Sequence, residues 1–190
     1  MNPTKTLTHT DLLNKIIKDH GFKRYAEIGT FDQNHNFNKI ECRYRICVDP
    51  DPKAKANYFG TSDEFFEQNF IIWDCVFIDG LHHADQVKKD FDNAMKWLSE
   101  DGCVILHDTN PHSERITHVP RDSGEWTGNV YQFAVQLNTY DGIDFYTFPG
   151  DYGCTVVWKD ITKKGFEIGE VSWERFDRER AELLRFKTDI

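Results

Sequence analysis

At 190 residues the chain is long enough for one domain with a full hydrophobic core, and no Pro/Gly/Ser-rich linker divides it. Its formal net charge of -9 has no offsetting basic block, so neither nucleic acid nor an anionic bilayer is an expected partner. The apolar runs are far shorter than a membrane span and the opening Met1-Asn2-Pro3-Thr4-Lys5 lacks the apolar core of a signal peptide, so a soluble, cytoplasmic chain is expected. Five cysteines, at positions 42, 47, 75, 103 and 154, form no C-x-x-C pair, and four of them lie in apolar strand-like runs. They read as reduced and structural, too scattered for a zinc-thiolate site.

Thr10 followed by Asp11, Leu12, Leu13, Ile16, Ile17 and then Gly21 predicts a capped amphipathic helix stopped by its glycine. Two half-apolar strands follow, RYAEIG at 24–29 and YRICVD at 44–49, with a polar turn and one helical turn near Phe37 to Ile40 between them. Ser62-Asp63-Glu64-Phe65-Phe66 predicts a short helix capped by Ser62. WDCVFIDG at 73–80 is a buried-strand pattern, and the helix after it carries Val87, Phe91, Ala94 and Leu98 on one stripe and closes at Gly102. CVILHD at 103–108 is a further apolar strand. Ile143 to Phe148 and Tyr152 to Trp158, on either side of Pro149-Gly150-Asp151, predict an antiparallel hairpin, and a charged helix begins after Ser172. Strands alternating with helices predict an α/β fold, a mostly parallel seven-stranded Rossmann-like sheet with helices on both faces and the hairpin at one edge.

Ligands of open parallel sheets bind at the carboxyl ends of the strands, and this sequence places Glu27, Asp49, Asp79 and Asp108 there. Any one of them could be a turn former; four in succession point to a site. Asp49, about twenty residues beyond the first glycine turn, is placed to accept both hydroxyl protons of a ribose. That turn, Glu27-Ile28-Gly29-Thr30-Phe31-Asp32-Gln33-Asn34, has one glycine and no G-x-G-x-x-G, which argues against a dinucleotide.

YAEIGT, ICVDPDP, TSDEFF, FIDGLHHADQV and VILHD, in this order from about Lys23 to Trp158, resemble the class I S-adenosylmethionine-dependent methyltransferases. FIDG, a following histidine and a strand ending in His-Asp are similar to a bacterial branch associated with glycan and natural-product modification. The resemblance implies that Glu27, Gly29 and Thr30 bound the methionine part of S-adenosylmethionine and that Asp49 holds its ribose. It also implies that Ser62 and Asp63 contact adenine, unless they are only a helix cap, and that Asp79 closes the cofactor pocket. Relatives have a second glycine in the first turn, where this chain has Asp32-Gln33-Asn34-His35.

Methyl transfer is an in-line displacement, so the protein has to align an acceptor and remove its proton. A histidine general base is one option, with His82 or His107 beside Asp108 as candidates. A magnesium-type ion on Asp79 and Asp108 is the other, although His107 stands where metal-dependent relatives tend to have a carboxylate. The other readings are that His82 and His83 form a polar first helical turn and that His107 is a strand-end histidine bonded to backbone. Asn110, His112 and Glu114 are candidates to face the acceptor, and residues 121–129, with Trp126 and Gly128, are placed as a gating loop in which Trp126 either meets substrate or packs on a helix. The expected activity is O-methylation of a small molecule or sugar. The competitors are a catalytically silent methyltransferase fold that binds without turnover, and a metal-dependent hydrolase built on Asp79, His82, His107 and Asp108.

Overall fold

The computed structural model of the protein describes residues 7–189. The opening stretch Met1 to Lys5, read above for a leader, lies outside the described residues. Helix α1, His9–His20, is entered through a capping box in which Thr8 accepts from the Asp11 amide and Asp11 reaches back to the Thr8 amide. The cap is therefore Thr8 and not Thr10, because only Thr8 has an acid three residues ahead. Gly21 closes the helix in the left-handed region, at φ 66°.

Seven strands form one sheet: β1 Arg24–Ile28, β2 Tyr44–Asp49, β3 Tyr58–Phe59, β4 Trp73–Ile78, β5 Leu98–Leu106, β6 Ile143–Phe148 and β7 Cys154–Lys159. Their order is β3-β2-β1-β4-β5-β7-β6, parallel through β5 and antiparallel where β7 joins β5 and β6. The two-residue side-chain period splits the sheet into two apolar faces. Ala26, Val76 and Val104 face one core with α3, Ala84–Lys96, and α4, Val130–Gln136. Tyr25, Cys75 and Cys103 face the other, which α1 covers with Leu12, Leu13, Ile16 and Ile17. Each such fully buried side chain contributes about 2 kcal/mol of burial. All five cysteines are free, and four are buried.

Beyond the α1 cap, the sequence reading differs from the structure at two elements. The helix α2, Ser62–Gln68, is capped by Thr61, whose hydroxyl accepts from the Glu64 amide, so Ser62 is not the cap and its hydroxyl accepts from Gln86 at 3.4 Å. Gly102 does not close α3; the helix ends at Lys96 and Gly102 lies inside β5, where a side chain would press on the Asp74 carbonyl of β4. The β1–β2 crossover is as read, turns and one 3-10 turn at Phe37–Lys39, with no α-helix. The terminal helix α5, Trp173–Leu183, packs Phe176 and Leu183 with Leu184 against Tyr131 and Ala134 of α4. Among the described residues no helix is long and apolar enough to cross a membrane.

Candidate active site

The exits of β1 and β4 touch. Gly29 sits at φ 84°, and a Cβ there would overlap the Asp79 carbonyl and the Gly80 Cα, so only glycine lets the first turn lie against Asp79. Asp49, from the end of β2, ties the same turn down: one carboxylate oxygen accepts from the Thr30 and Phe31 amides at 2.9 and 3.0 Å, the other from Asp51 at 2.8 Å. Glu27 is buried, its carboxylate accepting from the Tyr25 hydroxyl and from Asn36 at 2.7 and 2.6 Å. Burial, against the pull of those two donors, pushes its pKa up to about 7.

Asp79, His82, His107 and Asp108 converge at the strand ends. His107 Nδ1 lies 3.1 Å from Asp79 Oδ1, and its Nε2 lies 2.9 Å from the Asp151 backbone oxygen. Both partners accept only, so the ring carries both protons and is an imidazolium. Burial alone would lower the His107 pKa, but the charge and hydrogen bond of Asp79 outweigh it and push it up to about 10. Burial would likewise raise Asp79, yet His107 and His82 hold that carboxyl far below its ordinary value. Asp108 is the acid left over: burial carries it up to about 6 against the pull of His107.

His82 Nδ1 faces Asp108 Oδ2 at 3.1 Å and the Trp126 carbonyl at 3.3 Å, while its Nε2 is 3.5 Å from Asp79 Oδ1. Two acceptors at Nδ1 keep a proton there, so Nε2, facing Asp79, is the atom that gains or loses a proton as the ring titrates. Burial works against protonation of His82, and the hydrogen bond of Asp79 with the charges of Asp108 and Asp79 raises its pKa. Trp126 stacks on the imidazole, centroids 5.1 Å apart at 20°. The loop carrying Trp126 comes this close because Gly128, at φ 57°, has no Cβ to strike the His82 backbone.

These groups line a cleft of about 500 Å³ together with Gly29, Phe31, Asp49, Arg121, Tyr152, Asp151 and His9. Backbone strain gathers in it. Phe31, Asp108, Asp151 and Tyr152 all hold positive φ, between 52° and 60°, and all four line the cleft. Asn110, His112 and Glu114 do not line it: Asn110 is spent on the Pro149 carbonyl and Arg180. His83 leads into α3 and meets Trp126 edge-on.

A second, narrower cavity of about 260 Å³ adjoins at Gly29, between Ile28, Val48 and Leu81, with Ser62, Asp63, Gln86 and Asp90 along its edge. Its apolar walls and polar edge suit a planar base. One orphaned polar atom lies at the edge of this cavity: Asp63 Oδ1 is buried without a hydrogen-bond partner, although Asp63 Oδ2 takes Lys89 at 2.5 Å. Thr30 Oγ1 is likewise unpartnered but lines neither cavity. An atom placed like Asp63 Oδ1 is satisfied by a ligand, so the residues present fit a nucleoside-type cofactor. The donor set Asp79, His82 and Asp108, with ligand atoms within 4.8 Å of one another, also fits a divalent ion. Sequence reasoning missed His9, Asn36, Asp90 and Asp151. The contacts of His9 with Asp151 and of Asn36 with Thr10 join segments distant in the chain, which no local spacing signals.

Residues 22–109 match the model of a family described as a methyltransferase domain. Solved structures share the fold at low identity. A candidate caffeoyl-CoA O-methyltransferase from Staphylococcus aureus has 21% identity and a TM-score of 0.61, over 79% of this chain and 82% of that one. The O-methyltransferase TomG from Streptomyces achromogenes, involved in tomaymycin synthesis and bound to S-adenosylmethionine, has 15% identity and a TM-score of 0.57, over 80% and 79%. The methyltransferase MycE of the mycinamycin pathway, in complex with Mg, S-adenosylhomocysteine and mycinamycin VI, has 16% identity and a TM-score of 0.54, over 84% of this chain and 50% of that one. The chain thus has the Rossmann-like methyltransferase fold, with its cavities at the strand ends that the fold's topology makes available.

Proposed function

We propose that the protein is an S-adenosylmethionine-dependent methyltransferase acting on a hydroxyl of a small molecule or sugar. The observation that carries this reading is the junction at Gly29 of a base-shaped cavity holding an unpartnered Asp63 oxygen with a wider cleft holding the His82–Asp108 pair. The neighbours named above with bound S-adenosylmethionine, S-adenosylhomocysteine or Mg are consistent with it. In this reading Ser62 and Asp63 take adenine, Asp49 the ribose, and Gly29, Thr30 and Glu27 border the methionine part.

The acceptor hydroxyl binds between Asp79 and Trp126. His82 Nε2 takes its proton as the methyl group is transferred, and Asp108 orients the ring through Nδ1 and stabilises the imidazolium that forms. His107, already holding both protons, is not the base. Its charge fixes Asp79 and offsets the acids around it. A magnesium-type ion would be held by Asp79 and Asp108 with His82 as a third donor, and there it would lower the acceptor's pKa. In that form His82 is a ligand and not the base.

A silent, binding-only fold is favoured by one feature, the single glycine and missing helix after β1, which leave no helix N-terminus at the first turn. Calorimetric titration with S-adenosylmethionine and S-adenosylhomocysteine, with and without magnesium, separates the two. Micromolar binding of both is the expected outcome. No binding of either would reject the methyltransferase reading in favour of the silent fold.

A further inference from the structure

We propose that His9, delivered by the first helix, is a positioning residue of the methyl-transfer site, acting through the Asp151 turn on His107 and thence on Asp79. The inference rests on the reading above for the chemistry that Asp79 serves; the relay itself rests on geometry. The His9 backbone amide and its Nδ1 converge on Asp151 Oδ2, each at 2.7 Å. The imidazole lies flat on Phe77, centroids 5.7 Å apart at 14°, and meets the His107 ring edge at 4.8 Å. It is therefore fixed on two sides by packing and on a third by a charge-assisted hydrogen bond.

Asp151 needs such a hold. It and Tyr152 are successive non-glycine residues in the left-handed region, at φ 52° and 59°. The backbone of this turn in turn holds the strand-end segment: Asp151 O accepts from His107 Nε2 at 2.9 Å, Tyr152 O from the Asn110 amide at 2.6 Å and Gly153 O from the Thr109 amide at 3.3 Å. His107 donates its other ring N–H to Asp79 Oδ1. The neighbouring residue extends the clamp to the cofactor side, since Thr10 donates to Asn36, which donates to Glu27. One turn of α1 thus borders both halves of the site.

The test follows the His107 ring protons in the full chain by imidazole ¹H–¹⁵N spectra, with S-adenosylhomocysteine affinity measured alongside. The wild type should show two slowly exchanging ring N–H signals for His107. His9→Phe keeps the stack on Phe77 and removes the donor; the Nε2–H signal should then exchange at least tenfold faster, with affinity for S-adenosylhomocysteine within twofold. His9→Asn, which offers an N–H near the Nδ1 position, should restore slow exchange. If His9→Phe does not fold, His9→Ala replaces it with the same expectation. Unchanged His107 signals in a folded variant, or no recovery in His9→Asn, overturn the relay. Because the spectra need no cofactor, failure to bind S-adenosylhomocysteine would sink the methyltransferase reading while leaving the relay intact.

Discussion

Glu27 is buried at the end of β1 and His82 is half-buried in the loop after β4, and the two serve opposite ends. Glu27 has its folded pKa raised from 4.5 to about 7, so the folded state holds its proton more tightly than the unfolded chain does. Stability is then lost as pH rises from about 4.5 through 7, by about 3 kcal/mol for this group. Glu27→Gln should flatten that slope and leave the variant more stable than the wild type at pH 8, which urea melts at pH 5 and pH 8 will read. His82→Ala should lower turnover roughly 100-fold or more, the usual weight of a general base, and leave S-adenosylhomocysteine affinity unchanged; equal turnover would remove His82 from the chemistry. The strand-end acids were legible because a carboxylate closing an apolar run needs a reason to be there. The division of labour between His82 and His107 was not. It depends on which atoms face each ring, and those come from Trp126 and Asp151, far away in the chain.

Elements with strong periodicity, α1, β4 and the β6–β7 hairpin, were read from the sequence close to their true extents. Boundaries slipped where tertiary contact overrides a local signal. Gly102 looks like a helix stop, but the pairing of Leu98 with Trp73 starts β5 before it. The loop bearing Trp126 could be located but not shaped, since its approach to His82 depends on Gly128 having room for no Cβ. Gly128→Ala would strain a left-handed residue by about 1 kcal/mol and also push the loop off the His82 backbone, which has no rotamer to yield. We expect at least tenfold lower turnover and faster proteolytic cleavage within residues 118–129, measured by limited proteolysis of the folded variant.

For the whole molecule, a cofactor spanning both cavities joins β1, β2, α2 and β4, and binding only the folded form must stabilise all of them together. At a hundredfold excess over its dissociation constant, S-adenosylhomocysteine should add about 2.7 kcal/mol and raise Tm by roughly 5–10 °C. A thermal scan with and without ligand checks this, and an unmoved Tm at that excess would count against a cofactor held across both cavities. The sheet's antiparallel edge carries a further consequence through the bond between His9 and Asp151. The first helix and the last hairpin turn close on each other, so the site joins segments as far apart in the chain as residues 9 and 151. During synthesis the central strands and their helices can form early, but His107 lacks its backbone acceptor until residue 151 has emerged and folded back onto a helix made at the start. A nascent or truncated chain ending before the hairpin would hold most of the fold's strands and lack the backbone acceptor that fixes His107.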